Sequence, residues 1–485
     1  MKTFNSILAV LLLIVLGTAC SSSQPIEETR QLTILYTNDE HGWMAGVDEG
    51  KGAANIAGLW DAEDYGDESA VLVLSGGDNW TGPAISTWFF GQGMVEVMNA
   101  MAYDASVIGN HEFDFGLDIL ETRLGEASFP YLSANMRYKK NGEVPWDLGI
   151  EPYTIIDLNG IKVGIIGLTT TATPSVTNPK NVAEFDFIEY RQSLEEYVPK
   201  IREAGADIVI LASHVCTDEL TRLAWQVKSL NIAVMGGGHC HELYSSQVGE
   251  TVIIEGGSYL ASYAYVQLTY DPTTKEITNK EFGTRMNSGG KADEEIAQIV
   301  HSWQTKTDAE LNVTIGYLEK EIPRSSQKME DLITKSWLNG YPAADIAITN
   351  RGGIRDNLPA GDITLANIIS VMPFDNTLIA LSLTGEQVIK VVERGKSPAV
   401  GGIHKSGDQW IVDKNEEPLD EDKTYVVLVN DFMYAGGDNY DMLAQFDPDA
   451  YDTSIGWRDP VIDWIREQGS TPEKPLDGVI EGLSG

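Results

Sequence analysis

Histidine is scarce in this chain, and most histidines lie in short polar motifs that could do chemistry. The sequence has 485 residues and only seven histidines. Five of them lie in short polar motifs directly after apolar runs; four stand beside Gly, Asn or Ser, and the fifth follows two residues after the fourth: His41, His111, His214, His239 and His241. One such histidine is usually a turn or core residue, but five in the same context indicate a shared site. His301 and His404 lie outside these motifs and are interpreted as ordinary residues.

Carboxylates and an amide in the same motifs complete a set of metal ligands. The candidates are Asp39, His41, Asp78, Asn110, His214, His239 and His241. Mixed oxygen and imidazole donors suit Zn, Mn, Co or Fe better than Ca, which prefers oxygen alone. So many ligands predict two divalent ions that share a carboxylate. Ions about 3.5 to 4 Å apart can bridge a phosphoryl oxygen and make a metal-bound hydroxide at neutral pH, which is what phosphate ester hydrolysis needs.

Two pairs of these ligands are separated by a single residue. They are Asp39 with His41, and His239 with His241. In an extended segment, alternate side chains point to the same face. Each pair would therefore share a face if its segment were extended.

Short apolar runs precede the motifs and predict the elements that position them. The runs are rich in Val, Ile and Leu, as in buried parallel strands, and span residues 32–37, 70–75, 105–108, 162–168, 207–213, 232–235 and 251–256. Helical patterns lie between them, such as 189–205. This alternation predicts an α/β fold. Open α/β sheets bind ligands at the carboxyl ends of their strands, which is where the motifs lie.

A second block of the chain has apolar runs of its own. They span residues 346–349, 377–383 and 424–430, and a polar helical pattern precedes them at 289–311. We therefore predict a catalytic domain at 32–288, a connecting helix and linker at 289–316, and a second domain at 317–485.

The motifs of the first block resemble those of a known superfamily. They read Asn38-Asp39-x-His41-Gly42, Gly77-Asp78-x-x-x-Gly82, Gly109-Asn110-His111-Glu112-Phe113-Asp114, Ser213-His214 and Gly238-His239-x-His241. Their order and spacing are similar to those of calcineurin-like metallophosphoesterases, and more specifically of the 5'-nucleotidase family that includes bacterial periplasmic UDP-sugar hydrolases. The resemblance implies a two-domain α/β protein, with a four-layer α/β/β/α catalytic sandwich and a C-terminal α/β nucleotide-binding domain.

The resemblance also implies a role for each motif residue. One metal would be held by Asp39, His41, Asp78 and His241. The other would be held by Asp78, Asn110, His214 and His239, with Asp78 bridging. His111 and Asp114 match a catalytic dyad that stabilises the transition state near the leaving group. A histidine beside two cations would lose its proton unless a carboxylate such as Asp114 supported the charged form.

Three loops of the second block resemble the nucleotide-binding loops of the same family. They are Asn350-Arg351-Gly352-Gly353-Ile354-Arg355, Met372 to Thr377, and Asn430 to Tyr440. The resemblance implies that Phe374 and Phe432 sandwich a nucleobase and that Asp438 accepts hydrogen bonds from ribose hydroxyls. Asn350 and Arg355 would contact the nucleotide, and Arg324 matches a further family arginine. Stacking contributes about 1 to 3 kcal/mol per base and tolerates different bases, so the base itself is not predicted.

Two cysteines depart from the family pattern beside metal ligands. Cys216 stands where the family has Gly, and Cys240 stands where it has Ser. We interpret both as small buried residues. A disulfide, or additional soft ligands, are the two alternatives in an exported protein.

The first 20 residues predict a signal peptide. Lys2, the apolar run Ile7–Leu16 and small residues precede Cys20. Cys20 followed by serines resembles the lipoprotein cleavage box, in which the mature first cysteine is lipidated, whereas an ordinary cleavage would release a soluble periplasmic protein. The run is too short for a permanent span, which needs about 20 apolar residues. We expect an exported protein of the bacterial envelope, attached to the outer membrane only through Cys20, with residues 21–31 as a tether.

The charge balance excludes one class of partner. The sequence has 34 Lys and Arg against 72 Asp and Glu, a net charge of −38. Such a polyanion does not bind nucleic-acid polymers through counterion release. The sequence predicts no oligomeric state.

These patterns predict a two-metal phosphohydrolase that removes the 5'-phosphate from nucleotides. UDP-sugars and nucleoside di- and triphosphates are further candidate substrates. The alternatives are a 2',3'-cyclic-nucleotide phosphodiesterase with 3'-nucleotidase activity, a hydrolase of thiosulfate adducts from the same superfamily, and a catalytically dead surface binding module.

Overall fold

The computed structural model describes residues 28–63, 70–394 and 397–483. The predicted signal peptide, Cys20 and most of the predicted tether lie outside these ranges. Within the ranges, none of the helices combines the length and the hydropathy that a membrane-spanning helix requires.

The first half alternates strands and helices, as the sequence predicts. Its strands are β1 Arg30–Thr37, β2 Val71–Ser75, β3 Ala105–Val107, β4 Tyr131–Leu132, β5 Met136–Tyr138, β6 Ile150–Glu151, β7 Tyr153–Leu158, β8 Ile161–Leu168, β9 Phe185–Phe187, β10 Ile208–Ser213, β11 Val234–Gly236, β12 Leu243–Val248, β13 Thr251–Gly256, β14 Ser262–Asp271 and β15 Glu276–Met286. Its helices are α1 Ala53–Ala62, α2 Ala84–Thr87, α3 Gln92–Ala100, α4 Leu117–Glu126, α5 Thr173–Val176, α6 Tyr190–Glu203, α7 Thr217–Gln226 and α8 Glu294–Leu311.

Two mixed sheets form a sandwich in this half. One has the strand order β15-β14-β1-β2-β3-β4-β6, and the other has the order β12-β13-β11-β10-β8-β7. Within each sheet, the strands that carry the motifs run parallel to one another, as β1 does with β2 and β10 does with β11. Their carboxyl ends therefore meet at the same edge of the sandwich.

Burial on both faces explains why the strands read as continuous apolar runs. Ile34 of β1 and Ile165 of β8 belong to the core between the sheets. The outer face of the first sheet packs on helices α1, α3 and α8, and the outer face of the second packs on α6 and α7. The four-layer α/β/β/α arrangement is confirmed.

The second half is a smaller α/β unit. Its strands are β16 Thr314–Leu318, β17 Ile346–Thr349, β18 Gly361–Thr364, β19 Thr377–Thr384, β20 Ala399–Gly401, β21 Ile403–Ser406, β22 Gln409–Val412, β23 Glu417–Pro418, β24 Thr424–Asn430 and β25 Tyr451–Gly456. Its helices are α9 Gln327–Gly340, α10 Leu365–Val371, α11 Gly385–Val392, α12 Asp431–Tyr434, α13 Met442–Phe446, α14 Asp459–Gln468 and α15 Asp477–Glu481. Its main sheet has the order β20-β17-β24-β19-β25.

Contacts between the halves bring the loops of the second over the carboxyl edge of the first. Helix α8, in the predicted connector, stays on the first half, where Trp303 Nε1 donates to Glu96 at 2.8 Å. Helix α10 packs on α2, and the backbone N–H of Ala84 donates to Ser370 Oγ at 3.0 Å. Because β17 and β24 run parallel, the loops that begin at Asn350 and Asn430 leave the same edge of their sheet.

Candidate metal and substrate site

The polar motifs of the first half meet at one edge of the sandwich, as predicted. Among the described residues, acidic and histidine ligand atoms lie within 4.8 Å of one another in three overlapping groups: Asp39, His41 and His241; His41, Asp78 and His111; and Asp78, His214 and His239. Asn110 lines the cavity beside them. The structure therefore brings every predicted metal ligand into one place.

The backbone that carries these ligands decides whether each pair shares a face. Asp39, His41, Asp78, His239 and His241 have φ of 50°, 46°, 60°, 75° and 57°. The condition for a shared face is not met, because the two ligand pairs lie in left-handed turns and not in extended backbone. Asp39 and His41 still reach one group, whereas His239 and His241 reach different groups. Residues other than glycine keep such backbone only where the surrounding structure over-determines it, often at functional sites.

Close backbone approach requires glycine at two points of the motifs. A Cβ on Gly109 would lie 2.2 Å from Asp78 Oδ1, and a Cβ on Gly82 would lie 2.0 Å from the carbonyl oxygen of His41. A side chain at either position would displace a predicted ligand. The lack of room for a side chain therefore explains glycine at these two positions.

Hydrogen bonds at Nδ1 orient two of the histidine ligands. His41 Nδ1 lies 2.9 Å from the Thr81 carbonyl oxygen, and His214 Nδ1 lies 2.8 Å from that of Gly76. A carbonyl only accepts, so we assign a proton to each Nδ1, and each Nε2 is the atom that would face a cation once it is deprotonated. Asp39 Oδ1, Asn110 Oδ1 and His214 Nε2 are buried and make no hydrogen bond of good geometry, although His214 Nε2 lies close to Asp78. Buried polar atoms normally have a hydrogen-bond partner, so these residues fit a divalent cation.

The electrostatics of the site also favour bound cations. His214 Nε2 lies 2.9 Å from Asp78 Oδ2. Burial opposes a charge on His214, but Asp78 and Asp39 outweigh it and raise the pKa of His214 to about 10. Burial and the neighbouring His214 lower the pKa of His239 to about 4, so His239 is a neutral donor. The buried carboxylates therefore stabilise positive charge inside the site, as bound cations would supply.

Glu112 supports the site, although the sequence analysis gave it no role. Its buried carboxylate accepts the backbone N–H groups of Asp78 at 3.0 Å, Asn79 at 2.6 Å and Gly109 at 2.7 Å. Burial, reinforced by the Asp78 charge, raises the pKa of Glu112 to about 8. Glu112 therefore fixes the turn that presents Asp78. An acidic residue inside the Gly109–Asp114 motif was the available signal.

Glu40 is a second buried carboxylate that sequence reasoning missed. It accepts Asn79 Nδ2 at 2.7 Å and Ser75 Oγ at 3.0 Å. Burial raises the pKa of Glu40 to about 7. Glu40 joins the loops that follow β1 and β2 beneath the ligands. Its position between Asp39 and His41 was the only signal.

The predicted dyad is assembled at the cavity wall. His111 Nδ1 lies 2.7 Å from Asp114 Oδ2, and Thr177 Oγ1 donates to Asp114 Oδ1 at 3.2 Å. Burial opposes the charged imidazole, but Asp114 and Asp78 together raise the pKa of His111. This direction agrees with the expectation that Asp114 supports the charged form. Nε2 of His111 remains available to a substrate.

A cavity of about 240 Å³ lies between the two halves. Its lining includes metal ligands and the dyad from the first half, together with Asn350, Arg355, Phe374, Phe432 and Asp438 from the second. The ring of Phe374 stacks on His111, with centroids 5.7 Å apart. The predicted base site and the predicted metal site are therefore parts of one cavity.

The polar residues from the second half are oriented by their neighbours. Asn350 Nδ2 donates to Asp438 Oδ2 at 2.9 Å, and Asn350 Oδ1 accepts from Asn430 at 2.9 Å. Both ends of the Asn350 amide are thus occupied within the protein, so Asn350 orients Asp438. Arg355 Nη2 lies 3.2 Å from His41 Nε2, which places a guanidinium beside the metal ligands.

Arg324 is the predicted substrate residue that the structure does not bring into this cavity. Its guanidinium donates to the backbone carbonyl of Arg355 at 3.0 Å. Arg324 therefore supports the loop that carries Arg355, and the prediction of a direct contact is not supported. The side chain of Arg324 is exposed and is held by this hydrogen bond outside the cavity lining.

The cysteines correct a further interpretation. Cys216 and Cys240 form a disulfide with Cα atoms 5.2 Å apart. They are therefore neither separate buried thiols nor soft ligands. The parallel neighbours β10 and β11 bring together the loops that carry them.

Comparisons with known proteins agree with this geometry. The model of the 5'-nucleotidase C-terminal domain family matches residues 314–445. The chain is 29% identical to the 5'-nucleotidase of Vibrio vulnificus over 87% of this chain and 89% of that protein. It is 27% identical to the trifunctional nucleotide phosphoesterase protein YfkN of Bacillus subtilis over 93% of this chain and 35% of that protein. The crystal structure of a 5'-nucleotidase precursor from Thermus thermophilus shares the fold, with a TM-score of 0.79, 24% identity, and coverage of 91% of this chain and 97% of that one.

Proposed function

We propose that this chain, which is similar to 5'-nucleotidases in sequence and in fold, removes the 5'-phosphate from nucleotides. The observation that carries the proposal is the single cavity in which metal ligands, a His-Asp dyad and two phenylalanines meet. Each component serves one part of a nucleotide, namely the phosphate, the leaving oxygen and the base.

Two divalent ions are part of the proposal. Asp78 belongs to one ligand group with His214 and His239, and to another with His41, which is also in the group of Asp39. Asp78 would therefore serve both ions. The donor set favours Zn, Mn, Co or Fe. When bound, such ions supply an activated water and neutralise the phosphoryl oxygens.

The residues of the chain have distinct roles in this reaction. Arg355 holds a phosphoryl oxygen beside the ligands. His111, charged with the support of Asp114, donates from Nε2 to the oxygen that leaves with the nucleoside. Phe374 and Phe432 hold the base, and Asp438 accepts from the ribose. Closure of the two halves over the substrate excludes bulk water.

A phosphate-release screen tests the activity and its alternatives. The purified protein would be assayed with AMP, 3'-AMP, 2',3'-cyclic AMP, UDP-glucose, ATP and a thiosulfate adduct, each with Mn, Co, Zn and Mg. We expect AMP to give the highest kcat/KM and chelation to abolish turnover. Preference for 3'-AMP or the cyclic nucleotide would favour the phosphodiesterase alternative. No turnover of any ester by metal-loaded protein would favour the binding module.

Replacement of Phe432 by Ala tests the base site. Stacking on an aromatic ring contributes about 1 to 3 kcal/mol per base, so KM for AMP should rise by about tenfold or more with a smaller change in kcat. Ribose 5-phosphate is the matched substrate, because it lacks the base, and its KM should not change. An equal rise for both substrates would show that Phe432 supports the cavity without holding the base.

We also propose that the protein is exported and anchored to the outer membrane through Cys20. The support is the leader sequence before Cys20. In cells that express the full chain with Cys20→Ser, the activity should leave the outer-membrane fraction. It should appear in the soluble fraction, or the chain should retain its leader. Activity that stays soluble in the unmodified chain would contradict the anchor and favour a periplasmic protein.

A further inference from the structure

A covalent link joins the two loops that carry three of the histidine ligands. Cys216 follows His214 by two residues, and Cys240 lies between His239 and His241. The disulfide between the cysteines ties these loops together just outside the ligands. The family pattern has Gly and Ser at these positions, so the resemblance does not predict the link.

The turn around Cys240 carries one ligand for each of two ligand groups. His239 belongs to the ligand group of Asp78, and His241 belongs to the group of Asp39. To point in these two directions, both residues adopt left-handed backbone, with φ of 75° and 57°. A turn of this kind persists only if its surroundings impose it.

Burial is uneven around the turn. Cys240 is exposed and His241 is half-buried, whereas His214 on the other loop is completely buried. Hydrogen bonds hold both ends of the turn: Gly238 N donates to the carbonyl of Val215 at 3.1 Å, His239 N donates to Asp39 Oδ2 at 2.9 Å, and Thr217 donates to Glu242. Between these ends, the disulfide is the covalent link from the exposed Cys240 to the loop that follows His214.

We propose that Cys216 and Cys240 are positioning residues for metal binding, whose disulfide holds His239 and His241 in place for both ligand groups. The proposal deepens the proposed function, since it concerns how the metal site of that reaction is kept ready. Without the disulfide the fold remains, but the turn relaxes and the cations dissociate faster. Changes to residues that orient metal ligands typically cost about 10- to 100-fold in metal affinity.

The experiment compares metal retention in three proteins purified with Mn or Zn. They are the unmodified chain, the double variant Cys216→Ser/Cys240→Ser, and a second double variant, Cys216→Gly/Cys240→Ser, which carries the residues of the family pattern. Metal content is measured by mass spectrometry before and during dialysis against a chelator, and the metal concentration for half-maximal activity is measured separately. We expect both variants to lose metal at least about tenfold faster, and saturating metal to restore most of kcat.

A matched control separates positioning from general stability. Val163→Ala leaves a cavity in the core between the sheets, at the opposite end of the strands, and should lower the melting temperature while metal retention stays unchanged. Circular dichroism verifies that each variant is folded. Retention and metal requirement within twofold of the unmodified chain, in either folded disulfide variant, would overturn the proposal. Because retention is measured without substrate, a chain that binds metal but does not hydrolyse nucleotides would refute the proposed function alone.

Discussion

Replacing Asp78 with Asn is expected to lower kcat/KM for AMP by about a thousandfold or more, which corresponds to at least about 4 kcal/mol of transition-state stabilisation. Asp78 belongs to the ligand group of His214 and His239 and also lies beside His41, which belongs to the ligand group of Asp39. Its Oδ2 lies 2.9 Å from His214 Nε2 and 3.9 Å from His41 Nε2, and its Oδ1 accepts the backbone N–H of His111 at 2.8 Å. Asn keeps the shape but removes the charge that two cations would share.

The same substitution should leave the protein folded but weaken its metal-free form. Burial opposes a charge on Asp78, but His214 and His111 outweigh it and lower the pKa of Asp78, so Asn removes a favourable ion pair in the absence of cations. Metal content by mass spectrometry should fall together with kcat/KM, and the metal-free melting temperature should fall as well. Asp186→Asn, on an exposed position of β9, is the matched control and should change neither quantity. Full turnover in the Asp78→Asn variant would rule out the shared-carboxylate arrangement.

Replacing His111 with Asn is expected to lower kcat for AMP by about 10²- to 10⁴-fold, the usual contribution of a positioned general acid. His111 is fixed by Asp114 at 2.7 Å and covered by the Phe374 ring, so its Nε2 faces the cavity in one orientation. Metal content should remain unchanged, which distinguishes this variant from Asp78→Asn.

The choice of substrate tests the assigned role of His111. A nitrophenyl phosphate has a leaving group that needs no proton, so the variant should lose much less activity on it than on AMP. His301→Asn, on an exposed turn of α8, is the control and should behave like the unmodified chain. An equal loss on both substrates would mean that His111 acts on the phosphoryl group or the metal ligands and not on the leaving oxygen.

The placement of the predicted ligands could be derived from the sequence because it depends on topology. Val, Ile and Leu runs identified the strands to within about two residues, and parallel strands end at a common edge. The ligands after β1, β2, β3, β10 and β11 therefore had to converge. No knowledge of the loop conformations was needed for that conclusion.

What the sequence could not predict depends on loop conformation and on pairing at a distance. The alternation of Asp39 and His41 did not reveal the tight turn after β1, which has positive φ at both residues. The Cys216–Cys240 disulfide required knowledge of how closely two loops approach. Arg324 had the right residue type, yet its side chain turns to the Arg355 backbone. Glu112 lies in a recognised motif, but only its three backbone donors reveal its function.

The left-handed turns at Asp39, His41, Asp78, His239 and His241 also have a thermodynamic consequence. Each such residue costs on the order of 1 kcal/mol, so the five together offset a substantial part of the about 5 to 15 kcal/mol by which a folded domain is stable. The catalytic half is therefore expected to unfold at a lower temperature when metal-free. Each bound cation returns RT ln(1 + [metal]/Kd) of folding free energy, so the heat resistance of this protein should follow the concentration of free metal around it.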